Sequence, residues 1–171
     1  SGWSHDYLRH TLKNHAVSSY LIVEIERIVD YMTQSGLHDA PVAYRQASDA
    51  LEQCDLLYSN SVLQYFASNA PLLDLISRVR PEYVLLDDLL AKGENDFFST
   101  QTYYETAIPH RFIGLQKLLD ELRSAGYSPL LIAPFASPIH GLIKALPMEN
   151  FPEAFQLRHA LSVLFKRTPE K

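Results

Sequence analysis

The sequence predicts a mainly α protein: a long antiparallel helical hairpin that pairs with its copy into a four-helix bundle, followed by a small α/β appendage. Three observations lead there. Apolar residues recur at helical spacing through residues 4–33, a second stripe of the same period runs through 41–68, and a short stretch containing Gly36 separates them. Two helices of similar length joined by a short loop are most simply antiparallel neighbours. The organisation that follows is a hairpin over residues 1–70 and a C-terminal region over residues 71–171.

Taken in order, the first helix is capped by Ser4 or Asp6, whose side-chain oxygens can accept free first-turn N–H groups. Leu21, Ile25, Ile28 and Met32 form its stripe, and Glu24, Glu26, Arg27 and Asp30 its polar remainder. Gly36 stops it. In the second helix Ala47, Leu51, Cys54, Tyr58, Val62 and Tyr65 share a face. Pro71 and Pro81 bracket a short helix over 72–79, and residues 83–92 read as helix or short extended chain with Asp87 and Asp88 exposed. Residues 93–96 form a turn, 101–108 a strand, 113–125 an amphipathic helix ended by Gly126, and 129–133 a short buried strand. A proline-punctuated loop leads to a last helix over 153–166.

Composition excludes several classes. A formal charge of −5 without a basic run argues against nucleic-acid binding. The single cysteine, Cys54, rules out an internal disulfide and reads as a small buried hydrophobe. No apolar run approaches the ~20 residues that cross a bilayer, so the chain reads as cytoplasmic, and as a piece of something longer. His5, His10 and His15 recur every fifth residue, each turned about 140° from the last on a helix, so no metal site is expected. A nucleophile elbow and phosphate-cradling glycine motifs are both missing from the sequence, and no cofactor is expected.

That leaves His10. Neutral imidazole is a good nucleophile near neutral pH and can carry a phosphoryl group. On a helix, Asn14 lies one turn beyond His10 on the same face, where its amide can orient water or a phosphoryl oxygen, and Lys13 projects nearby to offset negative charge. The run Leu8–Arg9–His10–Thr11–Leu12–Lys13–Asn14–His15 resembles the phosphoacceptor box of two-component histidine kinases and of the related sporulation-type phosphotransferases. The resemblance covers about the first 70 residues and implies the dimerisation and phosphotransfer hairpin of that family. The segment around Arg158-His159 is similar to its ATP-binding helix, without the asparagines that hold metal and nucleotide. Thr11 stands where the family has an acid, so the general base for autophosphorylation is missing.

The resemblance therefore implies a phosphotransfer or phosphatase-like regulator, not a self-sufficient kinase. His10 would accept the phosphoryl group, with Asn14 and Lys13 assisting. Arg9, Tyr20, Glu24 and Arg27 would contact a response-regulator receiver domain or a kinase, and the chain would be a homodimer. His5 with Asp6 offers a rival register. The alternative is a non-catalytic helical sensory or adaptor domain that binds a protein partner or small ligand through its aromatic residues.

Overall fold

A computed structural model of the chain describes residues 17–36, 42–137 and 142–169. They form an α/β structure of two compact units, residues 1–51 and 52–171. The expected helical hairpin is absent among the described residues. Where it was placed, the chain runs as strand β1 (Tyr20–Glu24), helix α1 (Glu26–Ser35), strand β2 (Val42–Gln46) and strand β3 (Leu56–Asn60).

In the first unit, β1 and β2 pair in parallel with Ile22 opposite Tyr44, and α1 forms the crossover between them. The physical reason for the misreading lies in Tyr20-Leu21-Ile22-Val23. A continuous apolar, β-branched run suits a parallel strand, but beside Ile25, Ile28 and Met32 it also completes a helical stripe. Gly36 does end α1, at φ 58°.

The second unit is built on a four-stranded sheet ordered β3-β4-β8-β7, with β4 at Tyr83–Leu89, β7 at Tyr127–Pro134 and β8 at Leu161–Arg167. Strands β3 and β4 are parallel, and β8 runs antiparallel to both β4 and β7. Three strands thus point one way, with a reversed strand between the last two. The expected last helix is instead a 3-10 turn, Glu153–Phe155, followed by β8. Val163 and Phe165 share one face and are fully buried, Leu161 and Leu164 are half-buried, and the period is two because successive side chains of a strand point to opposite faces. Val84, Leu86, Val163 and Phe165 are sealed from solvent.

Two helices complete the unit. Helix α2 (Ala70–Val79) buries Leu72, Ile76 and Val79, carries Pro71 in its first turn and is closed by Arg80. Helix α3 (Leu115–Ser124) buries Leu118, Leu119 and Leu122 and meets β7. Both agree with the sequence expectation to within two residues. An antiparallel hairpin, β5 (Phe97–Tyr103) and β6 (Thr106–Phe112), is inserted between β4 and α3. The single strand expected over 101–108 runs across its turn at Tyr104 and Glu105. Phe97 and Phe112 stack at 4.4 Å and anchor the hairpin on Met148, Leu157 and Phe151. Cys54, expected in a buried helix face, is exposed just before β3.

Val163 and Phe165 lie in a strand with no spare space, so truncation there leaves a cavity. Phe165→Ala should lower the unfolding free energy by about 3–5 kcal/mol, measured by urea denaturation. A loss below about 1 kcal/mol would show that β8 is not the centre of this core.

Candidate functional site

In open α/β sheets, ligands bind outside the carboxyl ends of the parallel strands. In the second unit that edge is the end of β3 and the end of β4. Both ends are bent out of regular geometry. Ser61, just past β3, has φ 55°, and Asp88 in β4 has φ 51°. A register shift between Leu86 and Leu89 accompanies the second, a bulge that re-aims the carboxylates of Asp87 and Asp88. The Ser61 hydroxyl donates a short hydrogen bond to the Asp88 carboxylate and lies 3.0 Å from Asn60 Oδ1. The Ser61 N–H donates to the Asp87 carbonyl at 3.2 Å. Left-handed non-glycine residues are costly, and two of them clasped across adjacent strand ends mark a constrained site.

A 3-10 turn, Leu63–Tyr65, follows immediately. It is held from beneath by Arg111 of β6, which is 1% exposed. Arg111 Nη2 donates to the Leu63 carbonyl at 3.2 Å and to Asn69 Oδ1 at 2.7 Å, and Nη1 reaches Asp96 Oδ2 at 3.4 Å. Asn69, which precedes α2, donates in turn to Glu121 of α3 at 2.7 Å. Asp96 accepts from the Gly114 N–H at 2.8 Å and from Lys117 at 2.7 Å. One buried guanidinium therefore ties together the turn, the start of α2, the hairpin and α3. Burial pushes the Arg111 pKa down, opposed by the Asp96 carboxylate. For Asp96 burial acts upward, but the Lys117 and Gly114 hydrogen bonds and the Arg111 charge outweigh it and hold its carboxyl below the usual range.

Beside this network stand Gln64, whose buried Oε1 has no hydrogen-bond partner among the described residues, and His110. The His110 ring packs 5.6 Å from that of Tyr65 and edge-on to Phe112 at 5.3 Å. Burial lowers its pKa, so the neutral form is favoured. The Tyr65 hydroxyl approaches Gln101 at 3.4 Å.

In the first unit, Glu24 closes β1 at its carboxyl end and is half-buried, ahead of Ile25 and α1. Tyr20 begins the same strand, and Arg27 sits exposed in the first turn of α1. The other residues singled out from sequence, His5, Arg9, His10, Lys13 and Asn14, lie outside the described residues. Among the described residues no cluster of His, Cys, Asp or Glu could hold a metal ion. No helix among them is long and apolar enough to cross a membrane. A cleft of about 660 Å³ opens at the opposite end of the second unit's sheet, beside Arg80, Glu82 and Arg167. It is remote from Ser61 and Asp88, although Arg80 at its rim is also left-handed, at φ 42°.

The sequence reasoning missed Ser61, Gln64, Asp88 and His110. The available signal was two apolar runs, each ending in polar residues: Leu56–Tyr58 before Ser59-Asn60-Ser61, and Tyr83–Leu86 before Asp87-Asp88.

No family profile and no curated protein matches the chain. Solved structures do. A putative S-adenosylmethionine-dependent methyltransferase from Listeria monocytogenes aligns with a TM-score of 0.64 at 12% identity, over 98% of this chain and 87% of that one. An S-adenosylmethionine-dependent methyltransferase from Mesorhizobium loti aligns at 0.59 and 14%, over 97% and 84%. The glycopeptide N-methyltransferase MtfA, complexed with S-adenosylhomocysteine, aligns at 0.58 and 14%, over 87% and 72%.

The fold is thus the α/β fold of S-adenosylmethionine-dependent methyltransferases. The likeness to histidine kinases and sporulation phosphotransferases is overturned, and with it the four-helix bundle and the phosphotransfer function with His10 as phosphoacceptor. The alternative of a non-catalytic helical sensory or adaptor domain loses its helical basis in the same way.

Asp96 supplies a pH test. Its carboxyl is depressed in the folded state, so the stabilisation it gives is complete above its unfolded pKa of about 3.9 and disappears as pH falls through the folded value. Asp96→Asn should flatten the acid limb of the stability–pH curve below about pH 4 and lower stability at neutral pH. An unchanged acid limb would remove Asp96 from the network.

Proposed function

We propose that this chain is a methyltransferase-type domain that takes S-adenosylmethionine and transfers its methyl group to an acceptor at the carboxyl edge of its strands. The observation that carries the reading is the sheet itself. A reversed strand, β8, lies between two co-directed strands, and the constrained pair Ser61–Asp88 sits at the carboxyl ends of β3 and β4. The structural neighbours support the same reading through fold alone.

The residues fit such a cofactor in part. Among the described residues the glycines do not provide a cradle for its amino-acid end. Gly36 caps α1, Gly126 turns the chain into β7, and Gly114 packs so closely on the backbone of Glu94 that a side chain would collide. When bound, the cofactor supplies an electrophilic methyl group on a sulfonium. The protein's part is to hold and shield. Asp88 and Ser61 fix the strand ends, Gln64 offers an unpaired carbonyl oxygen to an N–H or O–H donor, and the Arg111 network keeps the turn between them rigid.

Calorimetry with S-adenosylhomocysteine tests this. The protein should bind it with a Kd between about 1 µM and 1 mM. Gln64→Leu should weaken binding by about tenfold, the value of one hydrogen bond to a buried acceptor. Absence of binding at the upper limit, or a Gln64→Leu protein that binds equally well, would overturn the proposal.

A further inference from the structure

We propose that the cleft at the end of the sheet opposite Ser61 and Asp88 is a second binding site, which takes a small molecule carrying a phosphomonoester on an apolar body. It is independent of the methyl-transfer reading. The cleft is about 660 Å³, within the range of about 300–1,000 Å³ that holds small ligands. Four parts of the second unit wall it: Leu73, Ile76 and Ser77 of α2, Arg80 and Glu82 ahead of β4, the turn at 125–127 after α3, and residues 166–169 at the end of β8.

The backbone at Arg80 is the first argument. Arg80 closes α2 in the left-handed region, at φ 42° and ψ 55°. Glycine takes such a closing position without steric cost, whereas a residue with a Cβ is strained there. Pro81 follows, and a residue before proline is driven towards extended backbone, so the conformation is disfavoured twice. Three hydrogen bonds hold it. The Arg80 N–H donates to the Ile76 carbonyl at 2.9 Å, and the Arg80 carbonyl accepts from Arg167 Nη1 at 2.9 Å. The buried Tyr127 hydroxyl donates to the Pro81 carbonyl at 2.7 Å. A strained residue clasped in this way, with a long cationic side chain lining the cleft, serves through that side chain.

The charge balance is the second. Three cations, Arg80, Lys166 and Arg167, line the cleft with one acid, Glu82, in a chain whose net charge is −5. Lys166 is engaged, with Nζ 3.7 Å from Glu82 Oε1 and 5.3 Å from the centre of the Tyr83 ring. Arg167 makes no ion pair among the described residues and spends Nη1 on the Arg80 carbonyl. Both arginines act on the Tyr127 phenol: burial pushes its pKa up, Arg167 and Arg80 pull against that, and Cys54 adds to the rise. Two guanidiniums directed at one place present forked N–H donors to the oxygens of a dianionic phosphate, a match that a lysine ammonium lacks. Leu73, Ile76 and Pro169 offer the adjoining apolar wall to the body of the ligand.

The probe is naphthyl phosphate, followed by its fluorescence and by amide chemical shifts. It should bind with shifts centred on Ser77, Gly126 and Thr168. Its affinity should exceed that of naphthol and of inorganic phosphate by about tenfold or more, since each lacks one half of the recognition. Arg167→Met and Arg80→Gly should each weaken binding by about tenfold or more, the value of a hydrogen bond to a charged group. Glycine suits the left-handed position, so a folded Arg80→Gly protein reads the side chain alone. Equal binding of naphthol or of inorganic phosphate, unchanged affinity in either variant, or displacement of the probe by S-adenosylhomocysteine would each overturn the assignment. Sedimentation with phosphatidylcholine vesicles containing phosphatidic acid, without binding of free naphthyl phosphate, would assign the charge to a lipid surface and overturn it as well.

Discussion

Arg111 is the constraint on which the second unit's edge depends. A guanidinium with 1% of its side chain exposed needs partners, because the desolvation of a buried charge costs several kcal/mol, and both of its Nη atoms have them while Nε has none among the described residues. Its partners come from four separate parts of the chain: the Leu63 carbonyl, Asn69, Asp96 and, through Asn69, Glu121. Helices α2 and α3 are held by their own buried side chains, but the two turns that Arg111 reaches are short. The 3-10 turn is three residues long, and the 93–96 turn is held by Asp96 and the close packing of Gly114. The electrostatic hub does what a hydrophobic contact could not: it sets orientation as well as proximity.

The consequences run outward from that hub. With Leu63 anchored, Tyr65 faces His110, and Gln64 is held in a buried place with an unpaired oxygen. The strand ends carry their own constraint in Ser61 and Asp88, each in a left-handed conformation and each holding the other. Backbone strain of this kind persists only when the surroundings over-determine it. The buried faces of β4 and β8, with Val84, Leu86, Val163 and Phe165, supply that rigidity. A stiff sheet, bent strand ends and a pinned turn make a pre-organised edge, which is where binding and transfer chemistry is expected in this architecture.

Parts of this were legible in the sequence. Pro71 and Pro81 framed α2, and Gly126 marked the boundary between α3 and β7, because proline and glycine act locally. The strands β1, β3 and β8 were not legible as strands. Tyr20–Val23 and Leu161–Phe165 are apolar runs whose residues fit either period, and the sheet neighbours that decide between them lie far away in the chain. The site was hidden for the same reason. Arg111, Asn69 and Asp96 are separated by up to 42 residues and come together only through the hairpin and the turn. A histidine followed by lysine and asparagine drew attention to His10, whereas His110 sits in a strand with no local motif around it.

Mapping amide chemical shifts as S-adenosylhomocysteine is added tests the central claim most directly. The account predicts perturbations concentrated at Asn60–Tyr65 and at Asp87 and Asp88, with the distant cleft beside Arg80 and Arg167 unaffected. Shifts confined to that cleft, or no shifts anywhere in the second unit, would contradict it.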